Sequence, residues 1–115
     1  MMDPKATSGT GVMDKIEEMV RRIVARFNPD RIILFGSHAR GTGAPDSDAD
    51  LLVVMPTQGS RRQQAIEIDL ALVGVDLPAD VIVVTPKDIE RNRDTPGTII
   101  RRALREGKVV YERHS

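Results

Sequence analysis

The chain has 115 residues, and its 17 basic and 17 acidic side chains give a formal net charge of zero. This length supports one domain with a single core, and the absence of cysteine excludes disulfides and thiolate chemistry. Zero net charge argues against a protein that grips long nucleic acid through many phosphate contacts. No apolar run approaches the roughly 18 residues of a membrane span, so we expect a cytoplasmic protein without membrane contact.

The N-terminal third predicts a polar tail, one helix and one strand. Residues 1–11 contain no apolar signal core and are expected to form a flexible tail before a single domain over residues 12–115. Apolar residues recur at spacings of three and four from Met13 to Phe27, which predicts an amphipathic helix that ends at Asn28 because a proline follows. The β-branched and aromatic run from Arg31 to Phe35 predicts a buried strand.

The rest of the chain predicts alternating strands and helices. The expected strands run from Leu51 to Met55 and from Val81 to Val84, with a short edge strand from Val109 to Tyr111. A helix capped by Ser60 is expected to run to about Val73, and another begins with a capping box at Thr85 and Asp88. A last helix is expected from about Thr98 to Glu106, and its predicted buried residues are Ile99, Ile100, Ala103 and Leu104. This alternation is typical of an α/β domain, here with a small mixed β-sheet flanked by helices.

Carboxylates at the entrances of two strands supply the main chemical signal. Asp48 and Asp50 are two residues apart before the second strand, so in extended backbone they share a face, with Cα atoms roughly 6.6 Å apart at ~3.3 Å per residue. Two anions on one face repel each other unless a cation lies between them. Asp80, at the entrance of the third strand, is the candidate third ligand and general base. We therefore expect a seat for Mg²⁺, with two ions as the working hypothesis.

A glycine–serine turn at the exit of the first strand is the second signal. Gly36 allows close backbone approach to phosphate, and Ser37 can donate its hydroxyl and N–H to phosphate oxygens. Arg40 either binds phosphate through its forked donors or pairs with Asp46 or Asp48 and shapes the loop. A single histidine in a polar loop, His38, is expected to be solvated.

The strand directions follow if one ligand binds both to the glycine–serine turn and to the carboxylates. If the exit of the first strand and the entrance of the second face the same molecule, these strands are antiparallel. Asp50 and Asp80 both lie at strand entrances, so the second and third strands are parallel, joined by a right-handed helical crossover. The spacing of adjacent strands, ~4.8 Å, then brings the three carboxylates together.

The combined motif resembles the minimal nucleotidyltransferases of the polymerase-β-like superfamily. Their pattern of Gly-Ser-x-Ala-Arg-Gly, five residues and Ser-Asp-x-Asp-Leu is met from Gly36 to Leu51. The resemblance covers nearly the whole chain and implies a palm-like fold and transfer of AMP, or another nucleoside monophosphate, from ATP to a hydroxyl with Mg²⁺. It assigns catalysis and metal binding to Asp48, Asp50 and Asp80, and phosphate binding to Gly36 and Ser37.

The resemblance also bears on the acceptor. Stand-alone chains of this size are similar to the antitoxin of MNT/HEPN toxin–antitoxin pairs, which implies a HEPN-type partner protein as acceptor. Antibiotic-modifying relatives have an added helical domain, so without one the acceptor surface comes from a partner chain or a homo-oligomer. Two alternatives stay open, namely a non-catalytic antitoxin that acts by docking and a small-molecule nucleotidyltransferase of the aminoglycoside type. A nucleic-acid polymerase fits the zero net charge least well.

Overall fold

The computed structural model describes residues 11–44 and 47–114. The elements in chain order are α1 (Val12–Phe27), β1 (Arg31–Phe35), α2 (Ser37–Arg40), β2 (Ala49–Val54), α3 (Arg61–Ala71), β3 (Ala79–Val84), α4 (Pro86–Asn92), α5 (Ile99–Glu106) and β4 (Lys108–Glu112). Each predicted helix and strand is present, and the α/β class is confirmed. The predicted tail falls almost wholly on residues outside the described ranges.

The strands form one mixed sheet in the order β3-β2-β1-β4. β1 is antiparallel to β2 and to β4, whereas β2 and β3 are parallel and are joined through α3. The predicted strand directions are therefore confirmed, and β4 lies at an edge of the sheet as expected. The end of the sheet where β1 finishes and β2 and β3 begin is called the entrance edge below.

Helices cover both faces of the sheet because the central strands are apolar on both sides. One face packs against α1 and α3 through side chains that include Ile16, Met19, Ile23 and Ile68. The other face packs against α4 and α5 through Ile89, Ile100 and Ala103. The polar residues of the motif lie at the entrance edge, where Asp48 and Asp80 are exposed.

The helix ends follow the local chemistry that the sequence predicts. The hydroxyl of Ser60 accepts a hydrogen bond from the N–H of Gln63 at the start of α3. Thr85 and Asp88 form the expected capping box at α4, with both reciprocal hydrogen bonds present. These caps fix where the two crossover helices begin relative to the strands.

Some apolar helix positions are exposed rather than buried. The prediction that Ile99 is buried is wrong, since it is 41% exposed at the first turn of α5. In α3 the core takes Ile68 and Leu72, whereas Ile66 and Leu70 point to the surface. The physical reason is that a helix on a sheet buries only one stripe of its surface. None of the helices in residues 11–44 and 47–114 combines the length and apolarity of a membrane span.

Candidate active site

Asp50 and Asp80 are direct neighbours across the parallel pair of strands. The register aligns Ala49 with Ala79 and Asp50 with Asp80. Residues aligned in this way on adjacent strands present their side chains on the same face. Asp50 is half-buried and Asp80 is exposed, so the pair opens toward solvent at the entrance edge. The structure thus places the two carboxylates as the sequence predicts.

Asp48 extends this pair into a group of three acidic residues. It lies one residue before β2 and is exposed. Burial raises the pKa of Asp50 above its ordinary value, and the negative charges of Asp80 and Asp48 raise it further. Arg102 and His38 act in the opposite direction on the same carboxyl group. The mutual repulsion of the carboxylates is the physical condition that a bound divalent cation would relieve.

Gly36, the residue that follows β1, lies directly against this acidic group. The antiparallel register aligns Phe35 with Asp50, and Gly36 follows with a positive φ of 78°. A Cβ atom at position 36 would collide with the carboxylate oxygen Oδ2 of Asp50. Glycine is therefore required here both by backbone conformation and by the lack of space beside the carboxylate. The two sequence signals, which are separated by 14 residues, form one site.

Ser37 begins the short helix α2 next to Gly36 and is half-buried. Its carbonyl accepts hydrogen bonds from the N–H groups of Thr42 and Gly43 at 3.0 and 3.1 Å. The N–H of Arg40 donates to the carbonyl of Gly36 at 3.2 Å. These bonds fold residues 36–43 into a compact turn, called the motif turn below, that holds Ser37 at the mouth of the site.

His38 is buried, with 9% of its surface exposed, so the prediction of a solvated side chain is wrong. Its Nε2 atom lies 2.8 Å from the carbonyl oxygen of Ser47. Because a carbonyl oxygen only accepts, the proton of the ring is on Nε2 and this N–H donates. Its ring also lies against Gly43, where a Cβ atom would come within 2.6 Å of Nδ1. The histidine therefore ties α2 to the residue that precedes Asp48.

Arg40 forms a contact that neither of its predicted interpretations included. Its Nη1 atom lies 3.6 Å from Oε1 of Glu106 at the end of α5. Both side chains are about half exposed, so the pair contributes little to stability. Asp46, one of the expected partners, lies outside the described residues. The contact shows that the motif turn and the end of α5 are neighbours.

The donor set suits Mg²⁺ chemically, although it is not a closed cage. Across residues 11–44 and 47–114, no three or more His, Cys, Asp or Glu side chains are grouped closely enough to hold a metal ion unaided. Magnesium commonly takes only one or two carboxylates and completes its shell with water and substrate phosphates. An open group of carboxylates beside the turn at Gly36 fits that requirement.

A family model for the nucleotidyltransferase domain matches residues 13–110 of the chain. The chain belongs to this nucleotidyltransferase family. A relative from Methanocaldococcus jannaschii, named "Putative protein adenylyltransferase MJ1305", is 32% identical over 107 residues, which cover 85% of this chain and 70% of the relative. The region that the family model matches includes the motif turn, the three acidic residues and α5.

Solved structures of other nucleotidyltransferases share the fold. A structure from Sulfolobus solfataricus, named as that of a "putative nucleotidyltransferase", has a TM-score of 0.64 at 18% identity and covers 98% of this chain and 91% of its own. A mutant of the toxin–antitoxin complex MntA-HpeT has a TM-score of 0.63 at 18% identity and covers 86% and 73%. A toxin–antitoxin complex with AMP-PNP has a TM-score of 0.53 at 22% identity and covers 88% and 73%. The expected polymerase-β-like nucleotidyltransferase fold is thereby confirmed.

Proposed function

We propose that this nucleotidyltransferase moves AMP from ATP to a hydroxyl group on a partner protein. The observation that supports this most strongly is the meeting of Gly36 with Asp50 and of Asp50 with Asp80 at one open edge of the sheet. A phosphate-binding turn beside paired carboxylates is the arrangement that nucleotidyl transfer requires. The site needs one face for the triphosphate and one for the acceptor, and the entrance edge is open to solvent on the side of Asp80.

The carboxylates would hold Mg²⁺ with water and substrate phosphates completing its shell, and two ions are the hypothesis. Asp48 and Asp50 would bind the metal between them, and Asp80 would act as the third ligand or accept the proton of the acceptor hydroxyl. When bound, the ion would neutralise the triphosphate and the developing charge on the leaving pyrophosphate. The raised pKa of Asp50, caused by burial and by its acidic neighbours, supports a site that is electrostatically incomplete without a cation.

Gly36 and Ser37 would bind the phosphates of the donor. The backbone at Gly36 leaves room for close approach, and Ser37 offers its N–H and hydroxyl at the start of α2. Arg40 is half exposed and loosely paired with Glu106, so its guanidinium could exchange that partner for a phosphate. The donor half of the site is therefore assigned to the turn and the carboxylates together.

The partner is proposed from the relatives rather than from the site. The relative from M. jannaschii bears the name "Putative protein adenylyltransferase", and two structural neighbours are toxin–antitoxin complexes, one of them with AMP-PNP. A protein acceptor, such as a HEPN-type toxin or a second copy of this chain, is consistent with both. We place the reaction in the cytoplasm, where its donor ATP is made.

The experiment is incorporation of label from α-labelled ATP into the proposed HEPN-type toxin or into the chain itself. We expect label only in the presence of Mg²⁺, and none with Asp48→Asn or Asp50→Asn. Glu90→Gln, on the exposed side of α4, serves as the matched carboxylate control and should transfer normally. Transfer at the normal rate by both aspartate variants would contradict the proposal. Full neutralisation of the toxin without label would favour an antitoxin that acts by docking.

A further inference from the structure

Helix α5 lies on the same face of the sheet as the acidic side chains. Asp50, Leu52 and Val54 are at every second position along β2, so their side chains share one face of the sheet. Leu52 and Val54 pack in the apolar cluster that contains Ile100 and Ala103 of α5. The helix and the carboxylate of Asp50 therefore lie on one side of the sheet, which brings the polar surface of α5 into the vicinity of the site.

The end of α5 reaches the entrance edge. Lys108, just after the helix, is aligned with Leu34 near the end of β1, and the pair of Arg40 and Glu106 joins α5 to the motif turn. The helix therefore runs toward Gly36, with its final turn beside the site. Side chains on its exposed surface have access to a ligand bound there.

That surface carries an arginine-lined groove of about 740 Å³. Its walls are the segment 96–99, the arginines at 101, 102 and 105, and Glu106. Arg101 lies 3.9 Å from an oxygen of Asp94. Within residues 11–44 and 47–114, Arg102 and Arg105 have no ion-pair partner, and both are exposed. The groove thus presents two uncompensated guanidinium groups.

Arg102 is also close enough to the site to influence it. Its positive charge acts on the carboxylate of Asp50, in agreement with the position of α5 on the face of the sheet that carries Asp50. Residues 102, 105 and 106 are three and four positions apart, so they lie on one side of the helix. This side includes Glu106, which pairs with Arg40 of the motif turn, so the two arginines lie on the side of α5 that contacts that turn.

We propose that Arg102, assisted by Arg105, binds the β- and γ-phosphates of the donor nucleotide. This inference rests on the proposed function, in which the α-phosphate lies beside Asp50 and Gly36. The acceptor oxygen forms a bond to the α-phosphorus, and the bond from that phosphorus to the bridging oxygen breaks. The electron pair stays on the pyrophosphate, and the acceptor proton passes to a carboxylate of the site. Guanidinium forks match the terminal phosphates and stabilise the pyrophosphate as it leaves.

The test compares binding of AMP-PNP and AMP, each with Mg²⁺, by calorimetry. Arg102→Gln should weaken AMP-PNP binding by roughly 10-fold or more, because charge-assisted hydrogen bonds to phosphate are lost. AMP, which lacks the terminal phosphates, should bind to wild type and variant equally. Arg102→Lys should give an intermediate loss, since the charge remains without the fork. Arg62→Gln is the matched control, because it removes an exposed guanidinium on α3, on the other face of the sheet, and it should stay within twofold of wild type.

The outcomes separate this inference from the proposed function. Normal AMP-PNP binding by both Arg102→Gln and Arg105→Gln would overturn the inference, even if α-label is still transferred by the wild type. An equal loss for AMP and AMP-PNP would also overturn it, because the arginines would then act on the whole fold or on the nucleoside. Failure of the wild type to bind either nucleotide would overturn both the inference and the proposed function.

Discussion

Gly36 lies directly against the carboxylate of Asp50, with no room for a side chain between them. The contact joins the end of β1 to the start of β2 and combines the turn with the acidic group. Its tightness means that a ligand phosphate near Gly36 is also near Asp50. This relationship yields the first prediction.

Replacement of Gly36 by alanine should remove activity. The added Cβ collides with Asp50, and φ of 78° is unfavourable for any residue with a side chain. We expect transfer to fall by roughly 100-fold, as for catalytic groups displaced by about 1 Å, and stability to fall by about 1–3 kcal/mol. Gly74→Ala is the control, because Gly74 also has positive φ (98°) but its nearest neighbouring atom would be 3.9 Å away. Similar activity losses in both variants would contradict the steric explanation.

Replacement of Asp50 by asparagine should stabilise the metal-free protein while it abolishes transfer. The pKa of Asp50 is raised above 3.8 by burial and by Asp80 and Asp48, so the fold disfavours its ionised form. The stability that comes from the protonated group is complete below the unfolded pKa and is lost as pH rises through the folded pKa. At neutral pH the wild type has the free-energy cost of the ionised Asp50 carboxylate beside Asp48 and Asp80, and the asparagine variant does not.

Thermal unfolding in the presence of a chelator measures the effect. We expect the midpoint of Asp50→Asn to exceed that of the wild type at pH 7 by roughly 1–3 °C, because partial exposure keeps the penalty small. The difference should vanish near pH 3. Asp76→Asn, which removes an exposed carboxylate with a single 3.5 Å contact to Lys15, should leave the midpoint unchanged. A lower midpoint for Asp50→Asn at pH 7 would count against electrostatic repulsion at the site.

Replacement of His38 by alanine should lower activity through the position of Asp48. The variant loses the hydrogen bond to the carbonyl of Ser47, 2.8 Å long in the wild type, and leaves a cavity in place of the buried ring. We expect about 1–3 kcal/mol lower stability and a higher Mg²⁺ concentration for half-maximal transfer. His38→Gln, whose amide can reach the same carbonyl, should recover part of the activity. Replacement of the other histidine, the exposed His114, should change neither quantity, and an equal effect there would contradict the prediction.

Replacement of Asp88 by asparagine should affect stability but not transfer. The Thr85 N–H donates to this carboxylate and lowers its pKa, with a further contribution from Arg61. The stabilisation is therefore present above the unfolded pKa and is lost as pH falls through the lower folded pKa. Urea unfolding should show a loss of about 1 kcal/mol at pH 7 and a smaller difference near pH 3. An unchanged difference at both pH values would contradict the role of the charged cap.

Much of the fold is predictable because its signals are local. The apolar run at Arg31–Phe35 and the capping box at Thr85 specify their elements within a few residues. Even the pairing of Asp50 with Asp80 follows from local signals once a common ligand fixes the strand directions. The pairing of these carboxylates was therefore predictable from their positions at the strand entrances together with the assumption of one shared ligand.

Other features depend on contacts between distant segments. The helix α2 has four residues, too few for a helical period to appear in the sequence. His38 is buried against Gly43 and the carbonyl of Ser47, and Arg40 contacts Glu106 because α5 ends at the same edge of the sheet. The exposure of Ile99 likewise depends on which stripe of α5 the sheet covers. Spacing in the sequence contains no information on these packing choices.

The central claim is nucleotidyl transfer at Asp50, and the position of the label in ATP tests it most directly. Parallel reactions with α-labelled and γ-labelled ATP, Mg²⁺ and the acceptor protein should give acceptor that carries α-label and no γ-label, with pyrophosphate released. Asp50→Asn should give neither. Acceptor that carries the γ-label, or α-label transferred by Asp50→Asn at the wild-type rate, would contradict the account.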